Sequence, residues 1–198
     1  MQDLPTPSPE ALAHSERLRA RIRAEIVAQG GAIGFERYME LALYAPGLGY
    51  YSAGARKFGA SGDFVTAPEL SPLFAHCLAL QCAEVLTALD GGDILELGAG
   101  SGRMAADMLA ELQRLDALPR RYLILEVSAE LRERQRQTLA EHVPALLEKV
   151  QWLEHLPETF SGVIVGNEVL DALPVSRFQR SVQGFDEFGV AVEDEGFT

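Results

Sequence analysis

The stretch that decides the fold is Ile94-Leu95-Glu96-Leu97-Gly98-Ala99-Gly100-Ser101-Gly102. A short apolar run leads into three glycines at alternate positions, and a segment with helical apolar spacing follows. This order predicts a buried strand, a tight turn and a helix, the arrangement with which open α/β sheets bind ligands at the carboxyl ends of their strands. Glycine permits the turn and brings bare backbone close to a ligand, while the helix N-terminus offers free N–H groups to an anion.

The segments around this stretch alternate between strand and helix patterns. Short apolar strands are predicted at 93–97, 122–127, 150–153 and 162–165, with helices after the first two. Ser128 is the expected N-cap of the second helix. Such alternation is typical of a parallel α/β sheet with right-handed crossovers. A doubly wound sheet normally has five or more strands, so we expect its C-terminal strands to be missing from this chain, whose tail from residue 184 resembles a hairpin.

The part of the chain before residue 90 has helical patterns instead. Helices are predicted at about 10–28 and 35–44, and a longer one at 66–86 that begins with a capping box formed by Thr66 and Glu69. Residues 47–66 are rich in glycine and lack a regular pattern, which is typical of a functional or disordered loop. We therefore predict an N-terminal helical region with a glycine-rich loop at 1–90 and a truncated α/β core at 91–198.

The composition excludes several classes of protein. The chain has 198 residues, 47% of them hydrophobic, and a net charge of −12. No apolar run approaches the ~20 residues of a membrane span, and the acidic charge argues against nucleic-acid binding. Arginines at 17–23 are flanked by acids, unlike a mitochondrial transit peptide, so we expect a cytoplasmic bacterial protein rather than one of the mitochondrial matrix. Cys77 and Cys82 are interpreted as small apolar residues, and no metal site is expected.

The spacing of the glycines narrows the choice of ligand. The dinucleotide fingerprint needs a glycine where Arg103 stands, and the Gly-Lys-Ser/Thr of a P-loop is absent. The Glu-x-Gly-x-Gly-x-Gly pattern instead resembles motif I of class I methyltransferases, which use S-adenosylmethionine (SAM). Glu96 is then the candidate partner of the SAM ammonium group. The loop residues expected at the cofactor are Gly98, Ala99, Gly100 and Gly102. The alternative is a glycine turn that only packs a helix on a strand.

Acidic residues follow the next two strands. Glu126 comes 24 residues after Gly102, where an acid in nucleoside-binding α/β folds accepts hydrogen bonds from the ribose hydroxyls. Glu154 follows the third strand and is a candidate partner of the adenine amino group. Both could instead be solvated acids at strand ends.

A polar cluster, Asn167-Glu168-Val169-Leu170-Asp171-Ala172-Leu173-Pro174-Val175, follows the fourth strand. With the glycine loop and the pattern Gly47-x-Gly49-Tyr50-Tyr51 … Gly62-Asp63-Phe64-x-Thr66-x-Pro68-Glu69, it resembles the MidA-like family over about residues 31–180. This resemblance implies a Rossmann-like, doubly wound class I methyltransferase with SAM as its cofactor. It also implies a protein substrate, because the family includes the complex I assembly factor that methylates arginine, which makes a complex I subunit a candidate partner. Family members are considerably longer than this chain.

The acceptor is expected beside the end of the fourth strand. An arginine substrate stays protonated, so it needs carboxylates that orient it and take a proton. The catalytic candidates are Glu168, Asp171 and Asn167. The candidates for substrate binding are Asp63, Thr66, Glu69 and Tyr51. Helix-start acids and aromatic packing are the structural alternatives. Two other functions stay open: a non-catalytic methyltransferase-like binding or assembly module, and a nicotinamide-dependent oxidoreductase, which the displaced third glycine disfavours.

Overall fold

The computed structural model describes residues 6–52, 66–194 and 196–198. Contacts divide the chain into two units, one formed by Met1–Ala55 with Leu170–Thr198 and the other by Arg56–Val169. This division differs from the predicted boundary near residue 90. The helix before that boundary packs with the α/β core, and the tail of the chain pairs with the N-terminal part. These contacts join residues that are far apart in sequence, so local patterns do not reveal them.

The elements of the N-terminal half are α1 (Pro9–Ala28), β1 (Ala32–Gly34), α2 (Phe35–Tyr44), α3 (Ala67–Leu70) and α4 (Leu73–Ala88). They are followed by β2 (Asp93–Leu97), α5 (Arg103–Arg114), β3 (Tyr122–Leu125), α6 (Ala129–His142), β4 (Val150–Leu153) and β5 (Gly162–Gly166). The tail contains β6 (Phe178–Ser181), β7 (Gly184–Glu187), β8 (Gly189–Glu193) and β9 (Gly196–Phe197). Short 3-10 turns lie at Pro144–Lys149 and Leu170–Ala172.

The second unit is built on a parallel sheet with the strand order β4-β3-β2-β5. The chain moves outward from β2 to β3 and β4 and then returns to the other side of β2, so the order reverses between β2 and β5. Ligands of open α/β sheets bind at such a reversal, beyond the carboxyl ends of the strands. The predicted parallel α/β fold is therefore confirmed.

Helices α4, α5 and α6 contribute to one apolar cluster with alternate residues of the strands. Ile94, Tyr122 and Ile124 are 0% exposed, as are Met108 and Leu112 of α5. Each fully buried side chain of this size contributes about 1.5–3 kcal/mol through the hydrophobic effect. An apolar core thus holds the strands and helices that carry the loops at the carboxyl end of the sheet.

The predicted helix at 66–86 is interrupted, and its predicted capping box is wrong. Pro72 disfavours a helical conformation in the residue before it, and Ser71 is extended, with φ −162° and ψ 143°. The backbone oxygen of Thr66 accepts from the N–H of Glu69 at 3.0 Å, and its side chain makes no cap hydrogen bond. The carboxylate of Glu69 accepts instead from the hydroxyl of Ser101.

The first unit combines α1 and α2 with short antiparallel strands. β8 pairs with β1 and with β9, while β7 pairs with β6. The tail from 184 is therefore extended as predicted, and its strands β8 and β9 form an antiparallel pair, while β7 pairs with the preceding strand β6. Ile22, Ile26, Leu41 and Val190 form the small core of this unit. Within the described part of the chain, no helix has the length and apolar character needed to cross a membrane.

Candidate functional site

The glycine loop after β2 has a left-handed backbone at all three glycines, with φ of 61° at Gly98, 53° at Gly100 and 84° at Gly102. A Cβ on Gly102 would lie 3.0 Å from the Cα of Gln135, so this glycine allows α5 to begin close to α6. A Cβ on Gly100 would meet no atom within 4 Å. The packing alternative therefore explains Gly102, while Gly100 borders open space. Ala99 is 7% exposed and belongs to the core cluster, which leaves its backbone as the part that could face a ligand.

The carbonyl groups of the loop are held by α6. The side-chain amide of Gln135 donates to the Gly100 oxygen at 3.1 Å, and the hydroxyl of Thr138 donates to the Ser101 oxygen at 2.8 Å. On the other side, the Ser101 hydroxyl donates to Glu69 of α3. Glu69, which the sequence predicts to bind the substrate, therefore contacts the glycine loop.

Glu126 follows β3 and is only 6% exposed. Its Oε1 accepts from the backbone N–H of Ser128 at 2.9 Å, and its Oε2 accepts from Gln135 at 3.2 Å. Burial raises the pKa of Glu126, against the lowering effect of these hydrogen bonds. The backbone N–H of Val127 is a third donor to this carboxylate. A carboxylate has about four acceptor positions, so these internal partners leave room for a ligand hydroxyl. The solvated alternative is wrong, and the predicted N-cap of α6 is confirmed, because the Ser128 hydroxyl accepts from the Leu131 N–H at 3.3 Å.

Glu96 lies in the core beneath the loop, with 1% of its surface exposed. Its Oε2 accepts from the hydroxyl of Tyr122 at 2.7 Å. Burial raises the pKa of Glu96 to about 7, opposed by the Tyr122 hydrogen bond and reinforced by the negative charge of Glu126. The contact predicted with the SAM ammonium group would compete with this internal partner.

Glu154 lies beyond β4 with 74% of its side chain exposed, and its carboxylate is 3.5 Å from Nη1 of Arg132. This placement favours the interpretation as a surface acid. Arg132 also donates from Nε to the backbone oxygen of Glu126 at 2.6 Å. Sequence reasoning missed both Arg132 and the fully buried Gln135. The signal for Gln135 was its position between Leu131 and Leu139, on the apolar face of α6.

Asn167 and Glu168 directly follow β5, beside the reversal of the strand order. Glu168 is exposed and has φ +51°, in the left-handed region that residues other than glycine rarely adopt. Strained conformations of this kind concentrate at functional sites. Glu168 does not begin an α-helix, since the next helical residues form only the short turn Leu170–Ala172. Asn167 lines the end of an apolar groove between α4 and β5.

The remaining candidates include two residues of the first unit. Asp171 is exposed in the turn Leu170–Ala172, and the hydroxyl of Tyr44 donates to the backbone oxygen of Ala172 at 2.8 Å. The rings of Tyr44 and Tyr51 stack with their centroids 5.5 Å apart, so Tyr51 is part of the aromatic group that supports this turn. Asp63 lies outside the described residues.

A parallel sheet with reversed strand order, a left-handed glycine loop at the reversal and a buried acid after the neighbouring strand define a cofactor-binding domain of the class I methyltransferase type. Residues 77–198 match the model of a family described as "Putative S-adenosyl-L-methionine-dependent methyltransferase". The chain belongs to this family, the MidA-like family that its motifs resemble.

Solved structures and curated relatives agree with this placement. A Burkholderia thailandensis protein crystallised with S-adenosyl-homocysteine (SAH) is 52% identical, with a TM-score of 0.89 over 99% of this chain and 52% of its own. The chain is 29% identical to the mitochondrial "protein arginine methyltransferase NDUFAF7 homolog" of Caenorhabditis elegans, over 96% of this chain and 49% of the relative. The mouse protein arginine methyltransferase NDUFAF7 is 32% identical, over 83% of this chain and 43% of the mouse protein. The chain thus spans about half the length of the relatives it matches.

Proposed function

We propose that this chain carries the cofactor site of a SAM-dependent methyltransferase that modifies a protein side chain, with arginine as the favoured acceptor. The observation that carries the proposal is Gly100, at φ +53° in a loop at the reversal of the sheet, with open space where a Cβ would stand. Glu126 follows the neighbouring strand with acceptor capacity remaining for a ribose hydroxyl.

The residues present fit two polar groups of the cofactor, its carboxylate and its ribose. Backbone N–H groups of the loop, including that of Ala99, would bind the carboxylate, and Glu126 would accept from the ribose hydroxyls. SAM supplies a methyl group on a sulfonium, which makes alignment of the acceptor the main task of the protein. Glu96, with its core hydrogen bond, and the exposed Glu154 receive no cofactor contact in this proposal.

The acceptor would lie beside Glu168. A guanidinium must be oriented by an acidic group and must lose a proton as its nitrogen is methylated, and the Glu168 carboxylate would perform both tasks. Asn167 would orient the acceptor through its amide. Asp171, Tyr51, Thr66 and Asp63 are proposed as further substrate contacts. Glu69 is reassigned to holding the cofactor loop through Ser101.

Arginine and a protein partner are favoured because the NDUFAF7 relatives are protein arginine methyltransferases. A complex I subunit is the candidate partner because the MidA-like family, which this chain resembles, includes a complex I assembly factor. The net charge of −12 favours a basic protein region as the acceptor, because opposite charges speed association. We place the protein in the bacterial cytoplasm, where its free cysteines would stay reduced.

Two measurements test this function. Calorimetric titration of the chain with SAH and, separately, with NADH should give binding for SAH alone; binding of NADH alone would favour the oxidoreductase. The protein is then incubated with methyl-labelled SAM and cell lysate, and the labelled band is identified, with the Glu168→Gln variant as its matched control. SAH binding without any label transfer would instead support the non-catalytic module.

A further inference from the structure

The side chain of Gln135 joins the two parts of the proposed cofactor site. It is 0% exposed, in the middle of α6. Its Nε2 donates to the backbone oxygen of Gly100 at 3.1 Å and to Oε2 of Glu126 at 3.2 Å. Its Oε1 accepts from the indole N–H of Trp152 at 2.9 Å. One amide thus contacts the glycine loop, the acid after β3 and the strand β4.

The orientation of this amide is fixed by its neighbours. An indole N–H only donates, so the amide oxygen must face Trp152 and the amide nitrogen must face the two acceptors. Both N–H groups and the oxygen of Gln135 then have partners, which a buried amide requires in a low-dielectric environment. A carboxylate acceptor also strengthens the hydrogen bond that it receives.

These hydrogen bonds set the direction of groups that a ligand would meet. The peptide between Gly100 and Ser101 is planar and trans, so holding the Gly100 oxygen toward α6 turns the Ser101 N–H to the opposite side. The terminal torsion of a glutamate is soft, and Glu126 is fixed because Ser128 holds one oxygen and Gln135 holds the other. The position of the Ser101 N–H, which would donate to an anion, is thereby coupled to that of the Glu126 carboxylate, which would accept from the ribose.

We propose that Gln135 is a positioning residue for the cofactor, which aligns the glycine loop and Glu126 with each other through its single amide. This inference rests on the proposed function of the site. It predicts that changing the amide to a carboxylate of the same size misaligns both parts. In Gln135→Glu, two carboxylates would face each other in a buried site, and one of them would hold a proton to a higher pH than usual.

The test compares SAH binding by the wild type, Gln135→Glu and Gln137→Glu at pH 8 and pH 5.5. Gln137 is on the same helix and its exposed amide donates to Glu133, so its variant adds the same charge away from the site. At pH 8, Gln135→Glu should bind SAH at least about tenfold more weakly than Gln137→Glu, the loss expected for a charge-assisted hydrogen bond. At pH 5.5 a proton shared by the two carboxylates restores a donor, and the SAH affinity of Gln135→Glu should return to within about threefold of that of Gln137→Glu.

The emission of Trp152, the single tryptophan of the chain, gives an independent readout. In Gln135→Met the indole N–H loses its acceptor, so emission should shift without ligand, and SAH affinity should fall at both pH values. The Met variant also carries the test if Gln135→Glu does not fold.

Each other outcome has a defined meaning. Wild-type affinity in Gln135→Glu at pH 8, or in a folded Gln135→Met, overturns the positioning role. A loss in Gln135→Glu that is equal at both pH values and accompanies a lower melting temperature makes the residue structural only. If the wild type itself does not bind SAH, the proposed function fails before this inference is reached.

Discussion

Replacing Gly100 by alanine separates the strain of a left-handed residue from the loss of space for a ligand. Gly100 has φ +53° and Gly30 has φ +87°, and a Cβ on either glycine would meet no atom within 4 Å. Gly30 follows α1, outside the candidate site, so Gly30→Ala is a matched control for strain.

The cost of strain is similar in both variants and can be worked out. A left-handed residue with a Cβ costs about 1–2 kcal/mol. Unfolding entropy of about 2.1 cal/mol/K per residue gives roughly 0.4 kcal/mol/K for a chain of this length, so each variant should lose about 2–5 °C of melting temperature. Scanning calorimetry without ligand checks this part of the prediction.

The two variants should differ in SAH binding. A methyl group forced into a filled space costs about 1–3 kcal/mol, which corresponds to a roughly five- to 150-fold loss of affinity in Gly100→Ala. Gly30→Ala should bind as the wild type does. Titration calorimetry at 25 °C, where both variants should remain folded, provides the comparison. If Gly100→Ala binds SAH as tightly as Gly30→Ala, the cofactor does not lie against this loop and the reasoning fails.

Three further predictions concern the acids. Glu126→Ala should weaken SAH by about 1.5–3 kcal/mol in calorimetry, and should lower the melting temperature because the Ser128 N–H and the Gln135 amide lose an acceptor; unchanged affinity would contradict the ribose role. The pKa of Glu96, about 7 instead of 4.5, means that the folded state binds the extra proton, so the contribution of Glu96 to stability is greatest below pH 4.5 and falls as pH rises to about 7. This contribution falls by up to about 3 kcal/mol. Urea unfolding at pH 5 and pH 8 should show the fall in the free energy of unfolding of the wild type but not of Glu96→Gln; an equal fall in the variant would refute this. Glu168→Gln should keep SAH affinity but reduce label transfer at least about a hundredfold, and equal turnover would remove Glu168 from catalysis.

The sequence by itself determined the sheet and the place of its loop. The strand Asp93–Leu97 was predictable because its apolar run ends at a glycine and is followed by helical spacing. The N-cap at Ser128 was equally local, since one side chain satisfies a backbone group three residues away. The break at Pro72 was also present in the sequence, but the apolar periodicity across it concealed the restriction that proline places on the preceding residue.

Only the tertiary structure decided which polar groups meet. Glu69 contacts Ser101 across 32 residues, and Gln135 contacts Gly100 across 35, separations at which local periodicity carries no information. The sequence pattern also does not distinguish the two glycines of one motif: Gly102 is required by the approach of α6, while Gly100 borders open space. A pattern along the chain records the conformation of each segment, but partners across the fold are selected by how the helices pack on the sheet and by the need of every buried polar group for a hydrogen bond.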